Sequence, residues 1–567
     1  MRKISFILIA FVLMFTILLS ACNSSTGKGS SSNSGSSSSN SSDSSSSSNE
    51  SLSQGESDTS TGTKPSAVVS NSMVGQSNGN GSGNSTGSIT FGKPAQNLNL
   101  NPQIGGAENE ATALRKSIVE AKDNLNLTGK TVYYISPNGN DTTGDGSKNN
   151  PYKSLDAPIF AFNGLKENSA VLFERGGVYR ITDNITSIRP VSNTVFGAYG
   201  TGEKPVLMGS KKNYAKVKWV PSNKENIWKL DTLFNEFDAS MMVFNNEDGG
   251  VGDKKTGFLG LTENGDFYHS EKDYNIYLYC DLGNPSVVYD SIEIGLSNHM
   301  FSSGVGVSNV TIENLCLKYI GGHGIQIGAN NSGWKIRNCE MGFIGGAYQN
   351  KKTGTRYGNA VEFWCGKVSN AVIERNWVYQ VYDTAFTFQG DGSTQNSTYE
   401  NITFSNNLVE YANYAFEFWD KAKQTDGVSS AEFKNIQVKN NISRFVGYGY
   451  CEQRPDKGNE THIFVGTSQN YYKNSNLVFS NNIFDCSMTH ALLAYFWAEP
   501  AGTSRPFTWT FTDNTYYYKT LPNQKLQIKQ LFGANASTRY AYNEQQLINF
   551  IKEIEPTASA ANVHVLS

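Results

Sequence analysis

Ile312-Glu313-Asn314-Leu315 returns as Ile336-Arg337-Asn338-Cys339, Glu374-Arg375-Asn376-Trp377, Ser405-Asn406-Asn407-Leu408, Lys439-Asn440-Asn441-Ile442, Ser480-Asn481-Asn482-Ile483 and Thr512-Asp513-Asn514-Thr515. Each copy ends a β-rich stretch on an asparagine and opens a further strand rich in glycine and aromatic residues. The asparagines lie 24, 38, 31, 34, 41 and 32 residues apart. A repeat of this period is the signature of a solenoid, whose units cannot bury an apolar face alone and stack on their neighbours. The constant phrase and the unequal steps together say that the coil is fixed and its loops vary. Asn314, Asn338, Asn376, Asn407, Asn441 and Asn482 are expected to stack in the turn as an internal amide ladder, structural rather than chemical.

Working outward, a second set of segments aligns downstream of these turns: Gly324-Ile325-Gln326-Ile327-Gly328, Ala360-Val361-Glu362-Phe363-Trp364, Ala385-Phe386-Thr387-Phe388-Gln389, Ala415-Phe416-Glu417-Phe418-Trp419 and Tyr450-Cys451-Glu452-Gln453-Arg454. Strand alternation puts Ile325, Val361, Phe386, Phe416 and Cys451 inside. The outward row then reads Gln326, Glu362, Thr387, Glu417, Glu452, and the next reads Gly328, Trp364, Gln389, Trp419, Arg454. Rungs are ~4.8 Å apart, so Glu417 and Glu452 on neighbouring rungs match the ~5–5.5 Å of a retaining carboxylate pair, whereas Glu362 and Glu417, two rungs apart at roughly 9–10 Å, approach the inverting spacing. Trp364 and Trp419 are expected to stack on sugar rings. Asp383 stands in the turn entering the central strand, where a neighbouring Glu raises its pKa toward that of a general acid. Gln326, Gln389 and His323 adjoin the same face. The segments 347–357, 391–399, 421–430 and 455–472 are long loops bounding a groove, in which Arg356, Lys421 and Arg454 are candidates to hold a uronate carboxylate or to serve as a lyase base.

The 567 residues are 38% hydrophobic and 12% aromatic with a net charge of −3, and no basic stripe marks nucleic acid as a partner. Apart from Cys22, the cysteines are Cys280, Cys316, Cys339, Cys365, Cys451 and Cys486, with no metal-binding spacing, and they are expected to be unpaired core residues.

Arg2 and Lys3 precede the apolar run 4–19, too short to span a bilayer and flanked like a signal peptide. Leu19-Ser20-Ala21-Cys22 resembles the lipobox of bacterial lipoproteins, which implies cleavage after residue 21 and a lipid on the Cys22 sulfur. Residues 22–88 are a Ser/Gly-rich linker that cannot order itself, with an r.m.s. span of roughly 45 Å. The expected location is extracellular, lipid-anchored to the cell membrane.

Residues 89–130 are read as an N-terminal capping region, with a helix over 107–125 presenting Leu114, Ile118 and Leu125 to the first sheet edge. Thr131-Val132-Tyr133-Tyr134-Ile135 and Pro137-Asn138-Gly139-Asn140-Asp141, then Gly144-Asp145-Gly146-Ser147, Asn150-Pro151-Tyr152-Lys153-Ser154-Leu155, the stretch 171–179 and Val195-Phe196-Gly197-Ala198-Tyr199 follow in order. This opening is similar to that of secreted right-handed parallel β-helix proteins of the pectate-lyase-like superfamily. The resemblance covers about 131–520 and implies an all-β solenoid with short flanking helices, but no single reaction, since that fold hosts lyases, hydrolases, isomerases and adhesins. An inserted β-rich region over about 212–290 and a tail over 521–567, with a helix at 543–553, complete the organisation. The paired aspartates and lysine of calcium-dependent β-helix lyases are not evident, because Asp383 is flanked by Tyr382 and Thr384.

The leading expectation is a monomeric carbohydrate-active enzyme acting on polysaccharide or oligosaccharide, a glycoside hydrolase ahead of a polysaccharide lyase. No cofactor is expected, with calcium reserved for the lyase. The rival is a non-catalytic glycan-binding or adhesion solenoid. Glu362, Asp383 and Glu417 are the acid–base candidates, with Glu452 in reserve.

Overall fold

The computed structural model describes residues 105–566 apart from Gly249, 391–395, 421–429, Lys457, 467–471, 498–508, 520–525 and 533–536. These all belong to the unit Gly87–Ser567. The signal segment, Cys22, the linker and Lys421 lie outside the described residues.

The chain is a right-handed parallel β-helix. One long parallel sheet runs through Thr131–Ile135, Ser169–Glu174, Val195–Tyr199, Thr311–Glu313, Lys335–Arg337, Lys367–Glu374, Asn396–Ser405, Ser430–Lys439, Tyr472–Ser480 and Trp509–Thr512. After each of the later strands the chain bends and enters a second stack of parallel strands, among them Cys316–Ile320, Glu340–Ile344, Trp377–Gly390, Leu408–Asp420, Ile442–Val446, Ile483–Ser487 and Thr515–Lys519. Inward apolar residues from the two stacks meet in one continuous core, for example Ile373, Phe404, Val438 and Phe479 against Val361, Phe386, Phe416 and Ile463. Parallel sheets closed on both ends of every coil by turns need a special residue at each bend, and the repeated phrase supplies it.

Two consecutive positions share that task. Asn314, Asn338, Arg375, Asn406, Asn440, Asn481 and Asp513 all adopt positive φ, the left-handed conformation that Asn and Asp tolerate better than most residues. The next residue forms the ladder. Asn376 Nδ2 donates to Asn407 Oδ1 at 3.0 Å, Asn407 to Asn441 at 2.9 Å, Asn441 to Asn482 at 3.0 Å and Asn482 to Asn514 at 2.9 Å. Each Oδ1 also accepts a backbone N–H from the preceding rung. The ladder is therefore real, but Asn314 and Asn338 are not in it. They make the bend, and Leu315 and Cys339 occupy the ladder position, where the Cys339 N–H donates to Asn376 Oδ1 at 3.0 Å. Asn314 Nδ2 instead donates to Asp123, and Asn338 Oδ1 accepts from Arg375 Nε. At its far end the ladder stops on Glu555, whose carboxylate takes the Asn514 N–H, the Asn514 Nδ2 and the Tyr516 hydroxyl while fully buried.

The N-terminal helix, Glu108–Val119, lies along the flank of the coils rather than over the first sheet edge. Gly106 and Ala107 donate their N–H groups to Asp485, Arg115 pairs with Glu410 at 2.7 Å over the Trp377 ring, and Lys204 caps the last turn at the Ile118 and Val119 carbonyls. Buried Arg444 ties Glu410, Asp485 and Glu108 into one network. This placement follows from charge: the flank offers buried carboxylates that an apolar end cap could not satisfy.

Between the early coils sits a four-stranded antiparallel sheet of Trp219–Pro221, Ile227–Leu230, Asn275–Tyr279 and Phe267–Ser270. The strand Ala239–Phe244, which falls between the second and third of these in the chain, instead pairs antiparallel with Ile292–Leu296 of the solenoid. The six cysteines from Cys280 to Cys486 are buried thiols and form no disulfide. The C-terminal helix, Glu544–Lys552, starts on Asn543, whose side chain accepts the Gln546 N–H, and buries Leu547, Ile548 and Ile551.

Candidate active site

Alternation sets the outward row, and register preserves it across four rungs. Ile325, Val361, Phe386 and Phe416 stack inside, so Gln326, Glu362, Thr387 and Glu417 stack outside, with Trp364, Gln389 and Trp419 in the next outward row. The fifth rung differs from expectation. Gly449–Gln453 is a short 3-10 turn, and the strand that pairs with 414–418 is Thr461–Gly466, which sets Phe464 beside Glu417. Gly447 and Gly449 both take positive φ, which the strand reading of 450–454 cannot accommodate. Glu452 consequently faces its own turn, accepting the Gly449 N–H at 2.8 Å, and the close Glu417–Glu452 pair does not exist. The surviving spacing on this row is that of Glu362 and Glu417, two rungs or roughly 9–10 Å apart.

Glu362 is 1% exposed. Its Oε2 accepts from Gln326 Nε2 at 2.8 Å and faces His323 Nε2 at 3.1 Å. His323 Nδ1 accepts the Asn359 N–H at 3.0 Å, so the ring proton sits on Nε2 and points at Glu362. Burial, and then the neighbouring His299, hold His323 well below the usual imidazole range. Burial lifts Glu362 to about 8, opposed by the Gln326 amide and reinforced by Glu417 and Asp383. Both groups are thus neutral at pH 7. With two donors on Oε2, the carboxyl proton belongs on Oε1, a buried atom.

Asp383 lies at the irregularity between Val381 and Thr384, where the strand breaks register with its neighbour. It forms an ion pair with Arg454 Nη1 at 2.8 Å. Burial raises its pKa and Arg454 counteracts. Glu417 accepts from Thr387 Oγ1 at 2.5 Å, Gln389 Nε2 at 2.8 Å and Thr384 Oγ1 at 3.2 Å, all on Oε2. Burial first and Asp383 second bring it to about 7, against those hydrogen bonds. The charge of Asp383 acts on Glu417, so the two carboxyl groups influence each other's titration.

The remaining candidates sort by what they touch. Gln326 and Gln389 are hydrogen-bonded to the acids, and His323 orients Glu362. Arg356 is not open to a substrate carboxylate: its Nε donates to the Gly346 carbonyl, its Nη2 to that of Ser240, and its face covers Tyr382 at 4.3 Å. Arg454 is spent on Asp383 and Asp456. Trp364 and Trp419 are half-buried, and Trp419 stacks on Phe464 at 5.5 Å, itself stacked on Tyr414 at 4.2 Å.

Several contributors escaped the sequence reading. His299 stacks on His323 at 4.6 Å and its Nδ1 accepts the His323 backbone N–H, Tyr357 packs edge-on to His323, and Asn359 links the His323 rung to Thr384. A signal for His299 existed: it precedes Phe301 by the same two positions by which His323 precedes Ile325, and those strands pair. Among the described residues, no group of three or more His, Cys, Asp or Glu is arranged to hold a metal ion.

No family model and no curated relative matches the chain. Its fold is similar to solved structures of low identity. A complex of XylC with xylose is 12% identical over 73% of this chain and 74% of that one, with a TM-score of 0.42. The family 28 exopolygalacturonase of Yersinia enterocolitica is 11% identical over 69% and 66%, at 0.37. PfbA, a surface adhesin of Streptococcus pneumoniae, is 12% identical over 73% and 95%, at 0.30.

Proposed function

We propose that this protein is a carbohydrate-active enzyme of the cell surface, a glycoside hydrolase that cleaves polysaccharide with inversion. The observation that carries the reading is the pair Glu362 and Glu417 on one outward row, both lifted toward neutrality and two rungs apart, roughly 9–10 Å, which approaches the spacing of an inverting acid and base. Glu362 is the general acid, delivering its Oε1 proton to the glycosidic oxygen as that bond breaks. Glu417 is the general base that takes a proton from the attacking water, its basicity raised by Asp383. Arg454 opposes the burial that raises the Asp383 carboxyl above its ordinary range. Trp364 and the Trp419–Phe464 stack supply apolar faces for sugar rings. The lipid on Cys22 and the linker 22–88 would hold the enzyme at the outer membrane face, against an immobile polymer.

The non-catalytic alternative draws on that same aromatic stack, which would bind a glycan whether or not the acids turn it over. Incubation with a glycan panel separates the readings. New reducing ends without ultraviolet absorbance support hydrolysis, a conjugated double bond supports elimination, and binding alone supports the alternative. Wild-type turnover in Glu362→Gln, Asp383→Asn and Glu417→Gln alike overturns the site.

A further inference from the structure

A second polar column runs beside the outward row. His299, His323, Asn359 and Thr384 each stand two residues ahead of an inward strand residue, and those residues, Phe301, Ile325, Val361 and Phe386, stack rung on rung. The column is joined as the asparagine ladder is, backbone to side chain. The His323 N–H donates to His299 Nδ1 at 2.8 Å, the Asn359 N–H to His323 Nδ1 at 3.0 Å, and the Thr384 N–H to Asn359 Oδ1 at 3.0 Å.

Asn359, fully buried, stands at the middle of this column and commits its polar groups to it. Its carbonyl accepts the Gly324 N–H at 2.9 Å. Because Thr384 takes Oδ1, the amide nitrogen is the end turned to Glu362, on which it acts as a side-chain donor. Glu362 Oε2 already serves Gln326 and His323, so Oε1 is the oxygen left for this amide. An oxygen that accepts from Asn359 sends its own proton elsewhere, which aims the acid away from the column. Gly358 delivers the residue to this place. Its φ is +136°, and a Cβ there would lie 2.1 Å from the Gly345 Cα.

From Thr384 the column turns to the other acid. Thr384 Oγ1 donates to Glu417 Oε2 at 3.2 Å. One carboxamide therefore lies between the two carboxyl groups, its nitrogen on one and its oxygen on the residue that binds the other. An aliphatic side chain could serve neither end.

We infer that Asn359 is a positioning residue for both acids, holding the Glu362 carboxyl through its amide nitrogen and Glu417 through Thr384. This rests on the hydrolase reading, and it names the residue that keeps the acid and the base in register. Asn359 acts through Glu362 and Thr384 and has no contact with substrate to make.

The test uses the full chain and Asn359→Ala. The protonated Glu362 carboxyl is followed across pH by its infrared carbonyl band, assigned by its loss in Glu362→Gln. Burial raises Glu362 to about 8 against the Gln326 and Asn359 donors, so removing the Asn359 donor should move the midpoint up by about half a pH unit or more. On a glycan that the wild type cleaves, kcat should fall about tenfold or more with KM changed less than about twofold. A residue that only packs would lower stability and leave the midpoint in place. An unmoved midpoint, or an unchanged kcat, overturns the inference while keeping the hydrolase. A moved midpoint in a protein whose wild type cleaves no glycan keeps the positioning role and removes the hydrolase. Should Asn359→Ala not fold, the wild type decides, by nitrogen NMR of histidine-labelled protein with His323 assigned through His323→Gln. Its proton should sit on Nε2, and a proton on Nδ1 would break the link to Asn359 and overturn the proposal.

Discussion

The imidazole Nε2 of His323 stands 3.1 Å from Glu362 Oε2, on the same oxygen that receives the Gln326 amide. Two donors on one oxygen leave the other to carry the proton. The arrangement turns a buried glutamic acid into an oriented one, and its consequences are measurable.

Glu362→Gln should lower turnover by about two or more orders of magnitude, the size of a lost general acid. The same substitution should stabilise the fold in mild alkali. The folded pKa of Glu362, about 8, lies above its ordinary 4.5, so the native state holds a proton that the unfolded chain has released between those values. Stability therefore falls as pH rises from about 4.5 to 8. Glutamine removes that slope, and melting temperatures across this range check it.

Activity should follow a narrow bell in pH. Turnover needs Glu417 ionised and Glu362 protonated, so the limbs fall at about 7 and about 8. The lower limb belongs to the Asp383–Glu417 pair and should move in Asp383→Asn, away from Asp383's charge and hence to lower pH. Rate profiles of wild type and variant on the same substrate decide this.

Arg454→Met should destabilise the protein by about 3–5 kcal/mol, because it strands a buried carboxylate at Asp383. Adding Asp383→Asn should recover part of the loss. Urea denaturation of the single and double variants measures the coupling, and full additivity would contradict the pairing.

Asn441→Ala should cost several kcal/mol, since it leaves the Asn407 and Asn482 side chains and the Phe404 carbonyl with unmet hydrogen bonds in the interior, at about 1–3 kcal/mol for each buried group. Asn338→Gly should cost far less, because that residue supplies a bend and not a rung. Equal losses would refute the register assigned to the ladder.

The outward row was legible as far as Glu417 because period-two alternation repeats without a slip through Ala360–Trp364, Ala385–Gln389 and Ala415–Trp419. It failed at Tyr450–Arg454, where a cysteine and two polar residues imitate the pattern while flanking glycines curl the chain. The true rung, Thr461-His462-Ile463-Phe464-Val465, hid because Phe464 is apolar on the outer side. The ladder slipped by one at Asn314 and Asn338 for a related reason: one asparagine can serve the bend or the rung, and it reaches the rung only where the residue before it takes the bend, as Arg375, Asn406, Asn440, Asn481 and Asp513 do. Arg454 reaching Asp383, and Glu410 drawing down Arg115, are contacts between distant segments that no local pattern encodes.

Glu555 gives the amide column an end. A solenoid whose last coil exposed Asn514 and the edge of Thr515–Lys519 would offer the next molecule the same bonds that one coil offers another, and such an edge invites unlimited end-to-end growth. Here a carboxylate fills the final socket and Val563–Leu566 covers the edge. The C-terminal tail thus closes the column, and a protein cut back before residue 543 would be expected to expose Asn514 and the Thr515–Lys519 edge and to self-associate, which sedimentation velocity would read.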